Sequence, residues 1–137
     1  MLKPILLVED APNDIEIALY ALKKCGVKNE IVVARDGIEA LDYLLCRNAF
    51  LGREGGNPGL VLLDLKLPTV DGIAVLQTIR STPALASIPV IVLTGSAMEA
   101  DVSRTVALGI EKYVVKPMDL QYFIDQMCEI AAQFIRH

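Results

Sequence analysis

The chain has 137 residues, with thirteen Lys+Arg against seventeen Asp+Glu and a formal net charge of −4. That length suits one domain with a real hydrophobic core, and 53% apolar with 22% charged residues is a globular composition, not a disordered one. The acidic balance argues against a nucleic-acid-binding protein, and no apolar run approaches the ~20 residues of a membrane span.

At the N-terminus, Met1-Leu2-Lys3-Pro4 leads into a short apolar run that ends in two acids, with no small-residue cleavage site of a secretory signal. That run, Ile5-Leu6-Leu7-Val8, predicts a first strand. Ile15, Leu19 and Leu22 follow at helical spacing, and Gly26 predicts the stop. Ile31-Val32-Val33 predicts a second strand, and Arg35-Asp36-Gly37 a turn. A second helix is predicted on Ile38, Leu41, Leu44 and Leu45. Residues 47–59 contain Gly52, Gly55, Gly56, Asn57, Pro58 and Gly59, long for a loop in a small domain. Two readings stand: a mobile surface connection, or a contact surface marked by Phe50 and Leu51.

Leu60-Val61-Leu62-Leu63 predicts a third strand, and Ile73, Leu76 and Ile79 a third helix. Val90-Ile91-Val92-Leu93 predicts a fourth strand. Met98, Val102 and Val106 give a weaker helical stripe closed by Gly109. Tyr113-Val114-Val115 predicts a fifth strand. Asp119 is placed to cap a last helix carrying Leu120, Phe123, Ile124, Met127, Ile130, Ala131 and Phe134. Continuous apolar strands alternating with helices imply a parallel sheet buried on both faces. For five (βα) units the usual solution is the flavodoxin-like α/β three-layer sandwich, strand order 2-1-3-4-5. The last helix uses nearly all remaining residues, so a single domain over 1–137 with no output domain is expected. Cys25, Cys46 and Cys128 are odd in number, far apart and without CxxC spacing. They read as core or near-core thiols in a reducing, cytoplasmic compartment. The single histidine, His137, is the last residue, which argues against histidine catalysis or a zinc site.

Four of the five strands end in polar groups: Glu9-Asp10, Asp64, Thr94 and Lys116. A parallel sheet gathers those ends on one edge, where open α/β sheets bind ligands. Asp64 follows four apolar residues, where an acid is costly unless paired, protonated or metal-bound. Each of the others alone has an ordinary explanation. Glu9 or Asp10 can solvate a loop, Asn13 or Asp14 can cap the next helix, and Thr94 before Gly95 can be a turn residue. Lys116-Pro117 can be a plain connection. Their joint placement is the signal. Three adjacent carboxylates repel one another unless a hard cation joins them, and Glu9, Asp10 and Asp64 suit Mg2+ or Mn2+. Asp64 can then attack phosphorus to give an aspartyl phosphate, with Lys116 and Thr94 contacting the phosphoryl oxygens.

These residues resemble the receiver domain of bacterial two-component response regulators. The resemblance runs through Leu7-Val8-Glu9-Asp10, Leu62-Leu63-Asp64-Leu65 with Pro68 and Asp71-Gly72, Leu93-Thr94-Gly95-Ser96, and Tyr113-Val114-Val115-Lys116-Pro117. It covers about residues 3 to 135. It implies Asp64 as phosphoacceptor and Glu9, Asp10, Asp64 and the Lys66 backbone carbonyl as metal ligands. It further implies Thr94 and Tyr113 as switch residues, Lys116 as phosphate contact, and a Lys116–Pro117 peptide bond that is commonly cis. The implied mechanism is a population shift of the fourth-helix, fifth-strand and fifth-helix surface on phosphorylation.

A sensor histidine kinase is the implied partner. The long loop and the stretches 61–68 and 88–94 resemble stand-alone receivers that serve phytochrome-like kinases. Lys66 departs from the neutral side chain many receivers carry there; it can stabilise phosphoryl charge or obstruct attacking water. Tyr122, Cys128, Ala132 and Ile135 lie off the core stripe of the last helix, read either as surface scatter or as part of a homodimer face. Two other classes stay open. One is an unphosphorylated binding scaffold. The other is a small aspartyl-phosphate phosphohydrolase, which usually has a second Asp two residues after the nucleophile, where this chain has Lys66. The expectation is a signalling module and not a turnover enzyme.

Overall fold

The computed structural model describes residues 2–54, 56–95, 98–116 and 119–135. The elements alternate in the predicted order: β1 (Ile5–Val8), α1 (Pro12–Lys24), β2 (Ile31–Ala34), α2 (Gly37–Leu45), β3 (Leu60–Leu63), α3 (Gly72–Ser81), β4 (Val90–Thr94), α4 (Glu99–Ala107), β5 (Lys112–Val115) and α5 (Leu120–Phe134). The strands pair in parallel in the order β2-β1-β3-β4-β5, the flavodoxin-like arrangement. Val8 pairs with both Ala34 and Leu63, Leu63 with Val92, and Thr94 with Val115. The residues after β1 and β3 therefore emerge side by side.

Alternation of side chains along a strand explains why the central runs are apolar throughout. Ile5 and Leu7 of β1, with Leu60 and Leu62 of β3, face α1 and α5 through Ile15, Leu22, Phe123 and Met127. Leu6, Val8, Val61 and Leu63 face α2 and α3 through Leu44, Val75 and Ile79. Strands β2 and β5 are edges and are only partly buried, so their apolar runs are shorter and mixed. Among the described residues no helix is long and apolar enough to cross a membrane.

Three predicted faces differ from those observed. In α4, Met98 and Val106 are 65% and 61% exposed, and the fully buried residue is Thr105. Its hydroxyl donates to the Val102 carbonyl at 2.9 Å, so a polar residue satisfies itself within the helix and takes the inward position. Ile38 and Leu120 start their helices half-exposed, where the first turn has little to pack against. Ile135, predicted to lie off the core, is buried. Asp36, Asp71 and Asp119 cap α2, α3 and α5 by accepting from the Glu39, Ala74 and Tyr122 backbone N–H groups.

The described residues of the 47–59 segment make several side-chain ties to the rest of the fold. A short 3-10 turn forms over Asn48–Phe50. The Asp42 carboxylate accepts from Arg47 Nε at 2.9 Å and Asn48 Nδ2 at 3.1 Å. Arg53 lies 4.0 Å from the Tyr43 ring centroid and donates to the Tyr43 and Gly56 carbonyls. Phe50 packs edge-to-face on Tyr43, while Leu51 is 80% exposed.

A second tie joins helices. Arg80, in the last turn of α3, donates to the carbonyls of Ala86, Ile88, Leu108 and Gly109 at 2.8 to 3.1 Å. Burial holds its guanidinium below the ordinary arginine value.

The expectation of separate thiols is corrected. Cys25, at the end of α1, and Cys128, in α5, are joined as a disulfide, with Cα atoms 5.1 Å apart; Cys46 is the free cysteine. Packing of α1 against α5 brings together two residues 103 positions apart, a proximity that spacing along the chain does not reveal.

Candidate functional site

Glu9 follows β1 and Asp64 follows β3, both with backbones still held by the sheet. Glu9 N–H donates to the Ala34 carbonyl and Asp64 N–H to the Val8 carbonyl, each at 3.0 Å. The two carboxylates are thereby fixed as neighbours, and both are buried, at 4% and 8% exposure. Asp10 is beside them but exposed. One oxygen from each of Glu9, Asp10 and Asp64 lies within 4.8 Å of the others. Gly72 closes the back of the site. A Cβ there would collide with the Asp64 carbonyl and the Leu65 Cα, so α3 can press directly on the end of β3 only with glycine at that position.

Lys116 enters from β5, its backbone N–H held by the Thr94 carbonyl at 2.6 Å. Its ammonium donates to Glu9 Oε1 at 2.6 Å and Asp14 Oδ2 at 3.0 Å, and stands 4.0 Å from Asp64 Oδ2. The second Glu9 oxygen accepts from the Asp10 and Ala11 backbone N–H groups, and Asp64 Oδ1 from that of Lys66. Burial pushes the Glu9 carboxyl above its ordinary value, the Asp64 charge adds to this, and the Lys116 hydrogen bond only partly offsets it. Burial also pulls against the Lys116 ammonium. The hydrogen bonds to Glu9 and Asp14, with the charges of Glu9 and Asp64, outweigh it and hold the amine above the ordinary lysine value.

The site opens on two flanks. A cavity of about 270 Å³ is lined by Asp14, Asp64, Lys66, Gly95 and Lys116. A groove of about 430 Å³ is lined by residues that include Asp10, Lys66, Pro68, Asp71, Asp101 and Arg104. The exposed Lys66 side chain stands between them.

Glu9, Asp10, Asp64 and Lys116 are thus brought together. Thr94 ends β4 on the same sheet edge, fully buried. Tyr113 is in β5, half-buried against Leu65, Ile73 and Val92. Pro117 lies outside the described residues, as does Ser96, so the predicted cis peptide falls there too. Asp14 was legible only as a candidate cap. Ala11 occupies the N-cap without a side-chain bond, and Asp14, one turn after Asp10, reaches Lys116 instead. The i, i+4 spacing of Asp10 and Asp14 was the available signal.

A family model described as the response regulator receiver domain matches residues 5–127. The chain belongs to the response regulator receiver domain family. Response regulator Rcp1 of Synechocystis sp. is 38% identical over 119 residues, covering 87% of this receiver and 80% of Rcp1. The bacteriophytochrome response regulator RtBRR is 50% identical, with a TM-score of 0.84, and the match covers 95% of this receiver and 78% of that chain. The phosphorylated cyanobacterial phytochrome response regulator RcpA is 36% identical, with a TM-score of 0.89, covering 98% and 94%. A solved form of Rcp1 with Mn2+ bound has a TM-score of 0.88 at 34% identity, covering 98% and 95%.

Proposed function

We propose that this receiver is the phosphoacceptor of a two-component system, taking a phosphoryl group on Asp64 from a sensor histidine kinase of the phytochrome-like class. The observation that carries this is the placement of a buried Asp64 between two other carboxylates and one ammonium. A lone buried carboxylate would favour its neutral form and be a poor nucleophile. Glu9, Asp10, Asp64 and the Lys66 carbonyl would hold Mg2+ or Mn2+. The three carboxylate oxygens are close enough to share one ion, and oxygen donors suit a hard cation. When bound, the cation offsets the negative charge of the acceptor and of the incoming phosphoryl group.

Asp64 then bonds to phosphorus as the donor's P–N bond breaks, and the leaving imidazole takes up a proton. Lys116 sits where a phosphoryl oxygen on Asp64 would meet its ammonium, so the Glu9 and Asp14 bonds would be exchanged for one to phosphate. Thr94 would supply a hydroxyl from the neighbouring strand, and Tyr113 would follow it inward. The α4–β5–α5 surface would then change shape. That surface carries exposed Met98, Val106, Val115 and Tyr122, which suit a protein partner or a second copy. Support for the kinase class comes from the likeness to RtBRR, Rcp1 and RcpA. The setting is cytoplasmic, as for kinase output, and the product is a phosphorylated surface and not a released metabolite.

Incubation with an acyl phosphate and Mg2+ tests the reading. A lasting phosphoryl adduct on Asp64, detected by intact mass and peptide mapping, is expected. Rapid phosphate release without adduct would make the chain a phosphohydrolase, and no reaction would make it a scaffold. Sedimentation before and after labelling reads dimerisation.

A further inference from the structure

We infer that Cys25 and Cys128 are a reversible dithiol–disulfide pair, through which a small-molecule disulfide adds a redox input to α5. The two residues face each other across the α1–α5 contact. Their Cα separation of 5.1 Å lies inside the range, about 4.4–6.8 Å, that a disulfide spans without backbone movement. The reduced form is also provided for. The Cys25 sulfur stands 3.6 Å from the Ile124 carbonyl oxygen, one helical turn before Cys128, so its thiol has an acceptor when the bond is open.

Both residues are half-buried at the rim of the α1–α5 core cluster, sheltered yet reachable. Exposed Lys23, Lys24 and Lys28 adjoin Cys25 in sequence and exposed Asp125 and Glu129 adjoin Cys128, so both signs of charge border the pair, and glutathione disulfide serves as the probe. In a reducing cytoplasm such pairs are usually transient and sensing. Cys46, free and ending α2 on the other layer, is an internal control.

The location gives the pair its consequence. Helix α1 starts beside the acid cluster and ends at Cys25, 13 residues or about 20 Å further on. Helix α5 starts just after Lys116 and passes Cys128 in its third turn. The phosphoacceptor edge lies at the start of both helices and the cysteine pair joins the end of α1 to the middle of α5, so the two act at different levels of one helix pair, and closing the bond restrains α5.

In the oxidising step one cysteine thiolate attacks a sulfur of glutathione disulfide, giving a mixed disulfide and one glutathione thiolate. The second cysteine thiolate attacks the protein sulfur of that intermediate and expels the second glutathione. The protein loses two thiol protons and two electrons; the glutathione disulfide bond takes the electrons as it breaks, and the two departing thiolates take up the protons. A dithiol reductant reverses the sequence.

The full chain, reduced anaerobically and then treated with glutathione disulfide, tests this by thiol alkylation, mass analysis and thermal melting. Expected are loss of two alkylatable thiols, a Cys25–Cys128 cross-linked peptide, Cys46 still alkylatable, and a melting temperature raised by about 5–15 °C. Dithiol treatment of the folded protein should restore both thiols. Amide exchange in α5 should slow in the oxidised form. Cys25→Ser and Cys128→Ser should each abolish the melting shift, and Cys46→Ser should keep it. Three alkylatable thiols after oxidation would overturn the pairing. A bond that resists dithiol in the folded state, or α5 exchange unchanged by oxidation, would overturn the switch.

Discussion

The two flanks of Asp64 are built on opposite electrostatic plans. Toward β5, Lys116 is already committed to Glu9 and Asp14, both bonds within 3.0 Å, with little solvent at its side chain. Toward α4, the exposed Asp10 has no ion pair among the described residues, and the groove beside it is wide. Three carboxylates, Glu9, Asp14 and Asp64, thus surround one ammonium, and Asp10 adds a fourth negative charge beside Glu9 and Asp64. The paired flank neutralises part of that charge with the protein's own cation, and the unpaired flank leaves the remainder for a charge from outside. A buried ion pair contributes little net stability when intact and costs several kcal/mol when half of it is removed. The paired flank is therefore the one whose damage should show in folding, and the unpaired flank the one whose damage should show only in binding.

Substitutions can break that contrast. Asp64→Asn, common to both flanks, should abolish phosphoryl labelling altogether; label that persists by intact mass would place the acceptor elsewhere. Lys116→Ala should slow labelling by roughly 100-fold or more and destabilise the fold by about 2–4 kcal/mol in urea titrations. The loss should grow with pH. Glu9 titrates above its ordinary value in the folded protein, so its contribution is fully present below the unfolded pKa and is lost as pH rises through the folded one. Without the ammonium that folded value rises further, so the deficit at pH 8 should exceed the deficit at pH 5.

Asp10→Asn should weaken Mn2+ binding about tenfold or more by calorimetry, while stability moves by less than about 0.5 kcal/mol. A large stability change there would erase the distinction between the flanks. The smallest effect is expected far from both. Arg47 and Asn48 hold the Asp42 carboxyl below its ordinary value. Its contribution is present at neutral pH and lost as pH falls below about 4. Asp42→Asn should therefore lower the urea midpoint slightly at pH 7, and by progressively less as the pH is taken down through the acid range.

The legible parts of this molecule are those where one local rule decides. Strands β1, β3 and β4 are buried on both faces, so their composition declares them. Asp64 stood out because an acid directly after four apolar residues is costly without a partner. What stayed hidden depends on contacts across the fold. The inward face of α4 turns on a threonine that bonds to its own helix, which a hydrophobic stripe cannot register. The role of Asp14 depends on a lysine 102 positions away, and the Cys25–Cys128 bond on the docking of α1 against α5. The ties of Arg47, Asn48, Arg53 and Gly56 rest on side-chain bonds to Asp42 and from Arg53, which glycine content does not register.

The Arg80 guanidinium has a mechanical consequence. It grips the carbonyls of Leu108 and Gly109 just past α4, together with those of Ala86 and Ile88 just before β4. Helix α4 is pinned at its trailing end. While those bonds hold, the helix can travel only by swinging about that pivot, so the greatest arc is swept by the leading turn at Met98, on the side where β4 delivers Thr94.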